Sequence, residues 1–408
     1  MHLSKKVFIL VLGRKDMKSM LYGYISKNRG ALTFSVLCLC GSLMLTYASR
    51  NSTGFVQWYG KYISPVFVNT IGRFFSLFPF SVFELILLAA ALFLLFLMVG
   101  GLFLVIGKSR SLRERFSAFF HKALCILTCL LLVFTLTASV NYSRLPLSAG
   151  HDTTVREYSR GELLGLSLLL LDDITELSAV VPRDEQGLLL LDEKDLGATA
   201  TKGMRELEDR YPSLSGYYPS PKPVFFSEAM SYLGITGIFS PFTMEANYNR
   251  DIAAYHIPYT VCHELAHLKG FMREDEAGFI AYLAGINSES TQFRYSSTLN
   301  AFLYTLKELY NNVDPLIYND ICLRIPEQVR KEINVSRDYW NSHTARVTSI
   351  AKKANDKYLA ANAQSQGTMS YDKIVDLLLK EYEHRILDEY GDSIPEYLLD
   401  NAESAELN

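Results

Sequence analysis

His263-Glu264-Leu265-Ala266-His267, run on by Leu268-Lys269-Gly270 and then by Glu274-Asp275-Glu276-Ala277, is the stretch from which the rest of the chain is read. On a helix, residues four apart share a face. His263 and His267 therefore offer two imidazoles to one metal ion, while Glu264, about 100° round the helix, reaches a water on that metal. Val261, Leu265 and Leu268 fall on the other side of the wheel, which predicts a helix that buries one face and turns its ligands to a cleft. Pro258 sits where a first turn tolerates it and Gly270 where a helix ends. The plain alternative is a surface helix with two incidental histidines. The caps, the apolar back and the acidic segment just beyond argue against it.

Three carboxylates compete to be the third ligand: Glu274, Asp275 and Glu276. If a helix runs from Glu274 to Ile286, then Glu274, Gly278, Ala281 and Gly285 form one stripe. Small residues on that stripe let the two helices approach, with Glu274 long enough to reach across. Glu276 falls on the side of Phe279 and Leu283, where it caps the helix start or makes an outer contact, and Asp275 lies between. The stripe favours Glu274, with Glu276 as the alternative, and the Glu-x-x-Ala spacing resembles the third-ligand motif of glutamate-ligand zinc peptidases. Two histidines and a carboxylate suit an open Zn2+ site with a position left for water. Glu264 is then the expected general base, taking a proton from that water and returning it to a leaving amine.

Outward from this stretch, the 408 residues carry 49% hydrophobic side chains and a formal net charge of -3, which argues against a nucleic-acid partner and for membrane segments. Three runs are long and apolar enough to span a bilayer: 31–48, 82–106 with Glu84 as its one charge, and 123–140. Basic residues from Lys5 to Arg29 precede the first, and Lys108, Arg110, Arg113, Arg115 and Lys122 crowd the loop between the second and third. The positive-inside rule places both on the cytoplasmic side and everything after Asn141 outside. Between the first two spans, Arg50 to Ser81 is rich in aromatics such as Trp58, Tyr62 and Phe74, as suits an interfacial hairpin. The apolar run Val7 to Leu12 has no cleavage site close behind it, so the first span is expected to remain as an anchor.

Beyond Arg144 the composition is that of a soluble domain. Helices are expected over 161–180, 192–210, 274–286, 291–310, 326–353 and 371–387, and strands over 224–226, 235–239 and 243–248. The segment 364–370 reads as a turn. Thr243 to Asn249 is read as the edge strand bordering the cleft. Glu245 or Asn247 then either touch a peptide added to that edge or, the preferred reading, are simply its alternate exposed positions. His256, His343, Tyr255 and Tyr295 are possible oxyanion stabilisers, and nothing selects among them. Cys262 and Cys322 could pair in an oxidising compartment; Cys262 reads better as packing beside the metal helix than as a nucleophile.

Several stretches together resemble the membrane-anchored family of domain of unknown function 3810. They are Pro79-Phe80-Ser81, Arg210-Tyr211-Pro212 with Pro219 to Pro223, Phe226 to Tyr232, Pro241-Phe242-Thr243 with Glu245-Ala246-Asn247, His263 to Ala281, Tyr339-Trp340, Asn355 to Leu359 and Ser370-Tyr371. The resemblance implies a multi-span membrane protein with a zinc-peptidase domain. Gly278 departs from it, because family-like sequences tend to carry asparagine there.

The expected architecture is α+β and mostly helical. It comprises a cytoplasmic basic N-terminus (1–30), a membrane region of three helices (31–142), an extracytoplasmic zincin-like metallopeptidase domain with a small sheet (143–390) and an acidic tail (391–408). The expected function is that of a membrane-anchored zinc metallopeptidase acting on a peptide or protein, with His263, His267 and Glu274 as ligands. An intramembrane protease uses the same motif, but on a helix within a long apolar span, whereas Lys269, Arg273, Glu274, Asp275 and Glu276 crowd this one. A non-catalytic metal-binding sensor or binding module is the competing reading. Retention of Glu264, which zinc ligation alone does not need, argues against it. A purely structural membrane protein leaves the ligand set unexplained.

Overall fold

The computed structural model describes residues 29–106, 110–147, 157–344, 346–362, 373–391 and 394. The basic N-terminus before Arg29, Lys108, the turn 364–370 and nearly all of the acidic tail lie outside the described residues.

Three helices near the N-terminus are long and apolar enough to cross a membrane: α1 (Arg29–Asn51), α2 (Val82–Ile106) and α3 (Arg110–Thr137). Many of their apolar side chains, Leu37, Leu43, Leu87, Leu94, Phe96 and Leu127 among them, are exposed, as suits a helix whose solvent is lipid. α1 packs along α3. Between α1 and α2, the short helices Thr53–Tyr62 and Ser64–Phe67 and the helical turns that follow to Phe75 turn Val56, Tyr59 and Val68 inward and leave Trp58, Tyr62 and Phe74 exposed.

The remaining chain builds one core from helices around a small sheet. α4 (Arg160–Val180) starts with a capping box, Ser159 Oγ accepting from Glu162 N–H while the Glu162 carboxylate accepts from Ser159 N–H. Its leucines are buried against the later helices α9 (Thr291–Asn312) and α13 (Ile374–Tyr390). α5 (Leu196–Glu206) packs on α7 (Ile257–Leu268), which carries His263 and His267, and on α8 (Glu274–Ile286). The sheet has the order β1 (Lys222–Pro223), β3 (Glu245–Tyr248), β2 (Gly237–Ser240), with β1 parallel and β2 antiparallel to β3. Between β1 and β2 runs α6 (Ser227–Leu233), closed by Gly234 in the left-handed region.

Several boundaries differ from expectation. The first strand ends at Pro223, because the Glu84 carboxylate takes up the N–H groups of Phe225 and Phe226. The chain then turns directly into α6, too short a helix to announce itself by periodicity. The single helix expected over 326–353 breaks at Thr344 into α11 (Glu327–His343) and α12 (Arg346–Ala361), and α10 (Pro315–Arg324), capped by Asp314, precedes them. Thr243 to Asn249 is not an edge: β3 is the central strand and buried along its length, and β2 is the edge that packs on α7.

Candidate metal centre

α7 ends in a tight reversal that carries the chain straight into α8. Gly270 adopts φ +84°, its N–H donating to the His267 carbonyl at 2.8 Å while Phe271 N–H donates to the Ala266 carbonyl at 3.2 Å. This is a Schellman closure, and it places Glu274 in the first turn of the next helix, facing back onto the ligand face of α7. Glu274 Oε2 lies 3.1 Å from His263 Nε2 and 3.4 Å from His267 Nε2. Ligand atoms of these three residues all lie within 4.8 Å of one another, and all three side chains are buried. Two imidazoles and one carboxylate are the make-up of an open zinc site, so the donor set fits that ion.

The tautomer of His267 follows from its other nitrogen. Nδ1 lies 2.8 Å from the Phe271 carbonyl, which can only accept, so Nδ1 carries a hydrogen and the Nε2 lone pair is directed at the cluster. Burial pulls His267 down, but the charge of Glu274 and its hydrogen bond, with Glu264 and the Phe271 carbonyl, outweigh burial and push it up to about 9. Burial lowers His263, against the pull of Glu274. For Glu274, burial is outweighed by His267 and His263, which hold the carboxyl well below the usual carboxylate range.

Glu264 sits beside the edge strand. Burial pushes it up to about 8, against His267 and against a hydrogen bond from Phe239 N–H. β2 lies so close that a Cβ at Gly237 would fall 2.6 Å from Glu264 Oε1 and 2.6 Å from Thr260 Cγ2, so only glycine fits there. Pairing sets which backbone groups face the metal helix. Asn249 N–H donates to the Thr236 carbonyl, so in an antiparallel ladder Ile238 and Ser240 also bond to β3, while Gly237 and Phe239 turn their N–H and C=O groups outward.

The competing carboxylates are engaged elsewhere. Asp275 accepts from the Arg273 guanidinium at 2.6 and 3.2 Å and from Glu276 N–H. Glu276 accepts from Leu147 N–H at 2.7 Å; burial pushes it up to about 7, against Arg273. The small-residue stripe holds in part. A Cβ at Gly278 would meet Tyr259 Oη of α7 at 2.7 Å, so this departure from the family pattern is filled by a phenol, whereas Gly285 faces Ser297 of α9. The helix is also not half-exposed: every residue of α7 is buried, because α5, α8, α9, β2 and β3 surround it.

The domain-side end of α3 closes the far end of α7. Arg144 Nη1 donates to the Lys269 carbonyl at 2.9 Å and stacks over Phe271 at 4.5 Å, and the Asn141 side chain lies 3.1 Å from where a Gly270 Cβ would stand. Leu268, Met272, Phe239, Met244, Ala138, Tyr142 and Val68 form an apolar cluster joining β2, the metal helix and the membrane-side segments.

Other sequence candidates lie apart from the cluster. His256 is half-buried between Asn300 and Ser336, its pKa lowered to about 4 chiefly by desolvation, and Tyr295 donates to Glu332. The Tyr255 carbonyl accepts from Ser296 and Asn300, and His343 stacks on Tyr232 and Tyr339. Cys262 and Cys322 are both free thiols, and burial pushes Cys262 up to about 12, as befits a packing residue. Glu245 and Asn247 are neither exposed nor at the cleft edge. Glu245 accepts from the N–H groups of Val82 and Phe83 and from Lys222, and Asn247 donates to the Ile238 carbonyl. Sequence reasoning missed Tyr142 and Tyr358. Tyr142 Oη donates to Tyr358 Oη at 2.9 Å, and Tyr358, raised mainly by burial, also feels the charge of Glu274. Only Tyr358 carried a signal, its place in the Asn355 to Leu359 stretch.

The family described as Protein of unknown function (DUF3810) matches residues 59–379. No curated protein and no solved structure matches the chain.

Proposed function

The chain belongs to the DUF3810 family, and we propose that it works as a membrane-anchored zinc metallopeptidase. The observation that carries this reading is the convergence of His263, His267 and Glu274 within 4.8 Å, with Glu264 alongside at the edge of a strand. His263 and His267 through Nε2, and Glu274 through a carboxylate oxygen, would hold the ion. Zinc bound there supplies Lewis acidity, polarising a carbonyl and acidifying water.

The chain's own groups account for the rest. Glu264, with a proton affinity raised towards neutrality, takes a proton from the attacking water and hands it to the leaving amine. The Phe271 carbonyl holds His267 in the tautomer that ligates. A peptide laid along β2 finds the outward N–H and C=O groups of Gly237 and the outward C=O of Phe239, whose N–H already serves Glu264, and is brought beside Glu264 by strand addition.

Zinc content and digestion of a peptide library by the purified full chain test the reading. Wild-type protein should contain stoichiometric zinc and cleave peptides; Glu264→Gln should keep the zinc and lose hydrolysis by about two orders of magnitude or more. Full activity in that variant removes Glu264 from the mechanism, and zinc without cleavage of any peptide favours the sensor. We further infer from the basic clusters that the metal domain lies outside the cytoplasm. An impermeant thiol reagent on whole cells should label Ser220→Cys and spare Ser109→Cys; the reverse pattern overturns the orientation.

A further inference from the structure

We propose that the Phe225–Phe226 turn is a membrane-inserting wedge, seated in the bilayer leaflet at which α2 begins. These two phenylalanines are 72% and 54% exposed, and their rings meet edge-on with centroids 5.1 Å apart. Two adjacent large apolar side chains held out together mark a surface that something apolar covers.

Their position says what covers them. Phe225 N–H and Phe226 N–H donate to the two oxygens of Glu84, at 2.9 and 2.7 Å, and Glu84 lies in the first turn of α2. The turn is therefore pinned to the end of a helix whose next residues, Leu85 to Leu88, are exposed and apolar along the candidate span. A helix rises about 1.5 Å per residue, so this pin sits within one turn of the hydrocarbon boundary. Phe74, Leu77 and Phe80, just before α2 in the chain, are likewise exposed and extend the same apolar rim. The interaction also answers a question posed by Glu84 itself. A carboxylate entering an apolar span is costly unless its oxygens are satisfied, and here two backbone donors do so. Aromatic side chains prefer the headgroup boundary, so the wedge and the hairpin together form one girdle. The geometry holds independently of the peptidase reading and of which face of the membrane carries the domain. Its consequence is positional: the turn follows β1 directly, so the sheet whose edge strand flanks Glu264 is held at the lipid surface.

A nitroxide amino acid placed singly at 225, 226, 87, 316 and 323 of the full chain in phosphatidylcholine vesicles tests this by power saturation. Leu87 belongs to α2, while Leu316 and Leu323 are 77% and 75% exposed on α10. Labels at 225 and 226 should follow the label at 87, relaxed by oxygen more than by a water-soluble nickel chelate, with the ratio inverted at 316 and 323. If 225 and 226 instead follow 316 and 323, the turn faces water and the wedge is wrong. Shielding from both reagents means that protein covers the turn, and equally overturns it.

Discussion

Two buried clusters of opposite charge lie within this chain, and they are built on opposite plans. At the seam between the N-terminal helices and the sheet, the buried charges of Lys222 and Glu245 find their complements. Lys222 Nζ donates to the Phe75 carbonyl and to Glu245, and the Glu245 carboxylate also receives the N–H groups of Val82 and Phe83 at the start of α2. At the candidate metal centre the ligating groups converge on one another. Glu274 Oε2 confronts two Nε2 atoms at 3.1 and 3.4 Å, and the one ring hydrogen of His267 that its partner fixes is spent on the Phe271 carbonyl. Burying charge is costly unless it is matched, and a cluster of converging donor atoms is one that a cation could match from outside. The seam is closed by the fixed charge of Lys222, whereas the centre is held by the titratable pair of Glu274 and His267.

Substitutions at the two acids of α8 give the sharpest break in this comparison. Glu274→Ala should lower zinc affinity by more than the ten- to hundredfold, roughly, that follows loss of a group that only orients ligands. Glu276→Ala should stay within that range, since its carboxylate serves Leu147 N–H. Titration with a competing chelator ranks the two. The opposite order makes Glu276 the ligand.

The seam should respond in stability and leave zinc alone. Lys222→Met leaves Glu245 buried without its cation, which costs about 3–5 kcal/mol, while zinc affinity is unchanged. Adding Glu245→Gln should recover part of the loss, because the amide oxygen still accepts from Phe83 N–H without a charge. Denaturant midpoints and zinc titrations on the same samples check both halves. A fall in zinc affinity in Lys222→Met would show the two clusters to be one.

The centre was more legible in the sequence than the seam, for a physical reason. His263, Glu264 and His267 declare themselves through helical spacing, and Glu274 through its place at the start of the next helix, one tight turn away. The three spans and the mostly helical make-up followed from composition and run length. The partners of Lys222 and Glu245 come from elements far apart in sequence, and an isolated lysine or glutamate in a strand reads as a solvated position. For the same reason Glu245 and Asn247 were taken for exposed residues of an edge. Nothing local reveals that a two-residue strand, Lys222–Pro223, covers the far side of β3 and leaves β2 as the edge. Tyr142 and Tyr358 escaped likewise, meeting only because the exit of α3 and the helix α12 converge.

The smallest expected effect is also the finest probe of the difference between the clusters. With His267 pushed up to about 9 by Glu274 and its neighbours, the metal-free centre holds a proton between these two groups at neutral pH. Zinc takes the Nε2 lone pair and must displace it. Below about pH 9 each unit of acidification therefore costs about tenfold in apparent zinc affinity, and above it the dependence flattens, because no proton is left to displace. Glu264, pushed up to about 8, adds to the slope below that pH, since a cation beside it drives off its proton as well. In Glu264→Gln the slope should drop to a single proton, isolating His267. Proton release measured by calorimetry in buffers of different ionisation heat reads the same number directly. A zinc affinity that stays flat between pH 6 and 9 would mean that the centre, like the seam, already carries a fixed balance of charge.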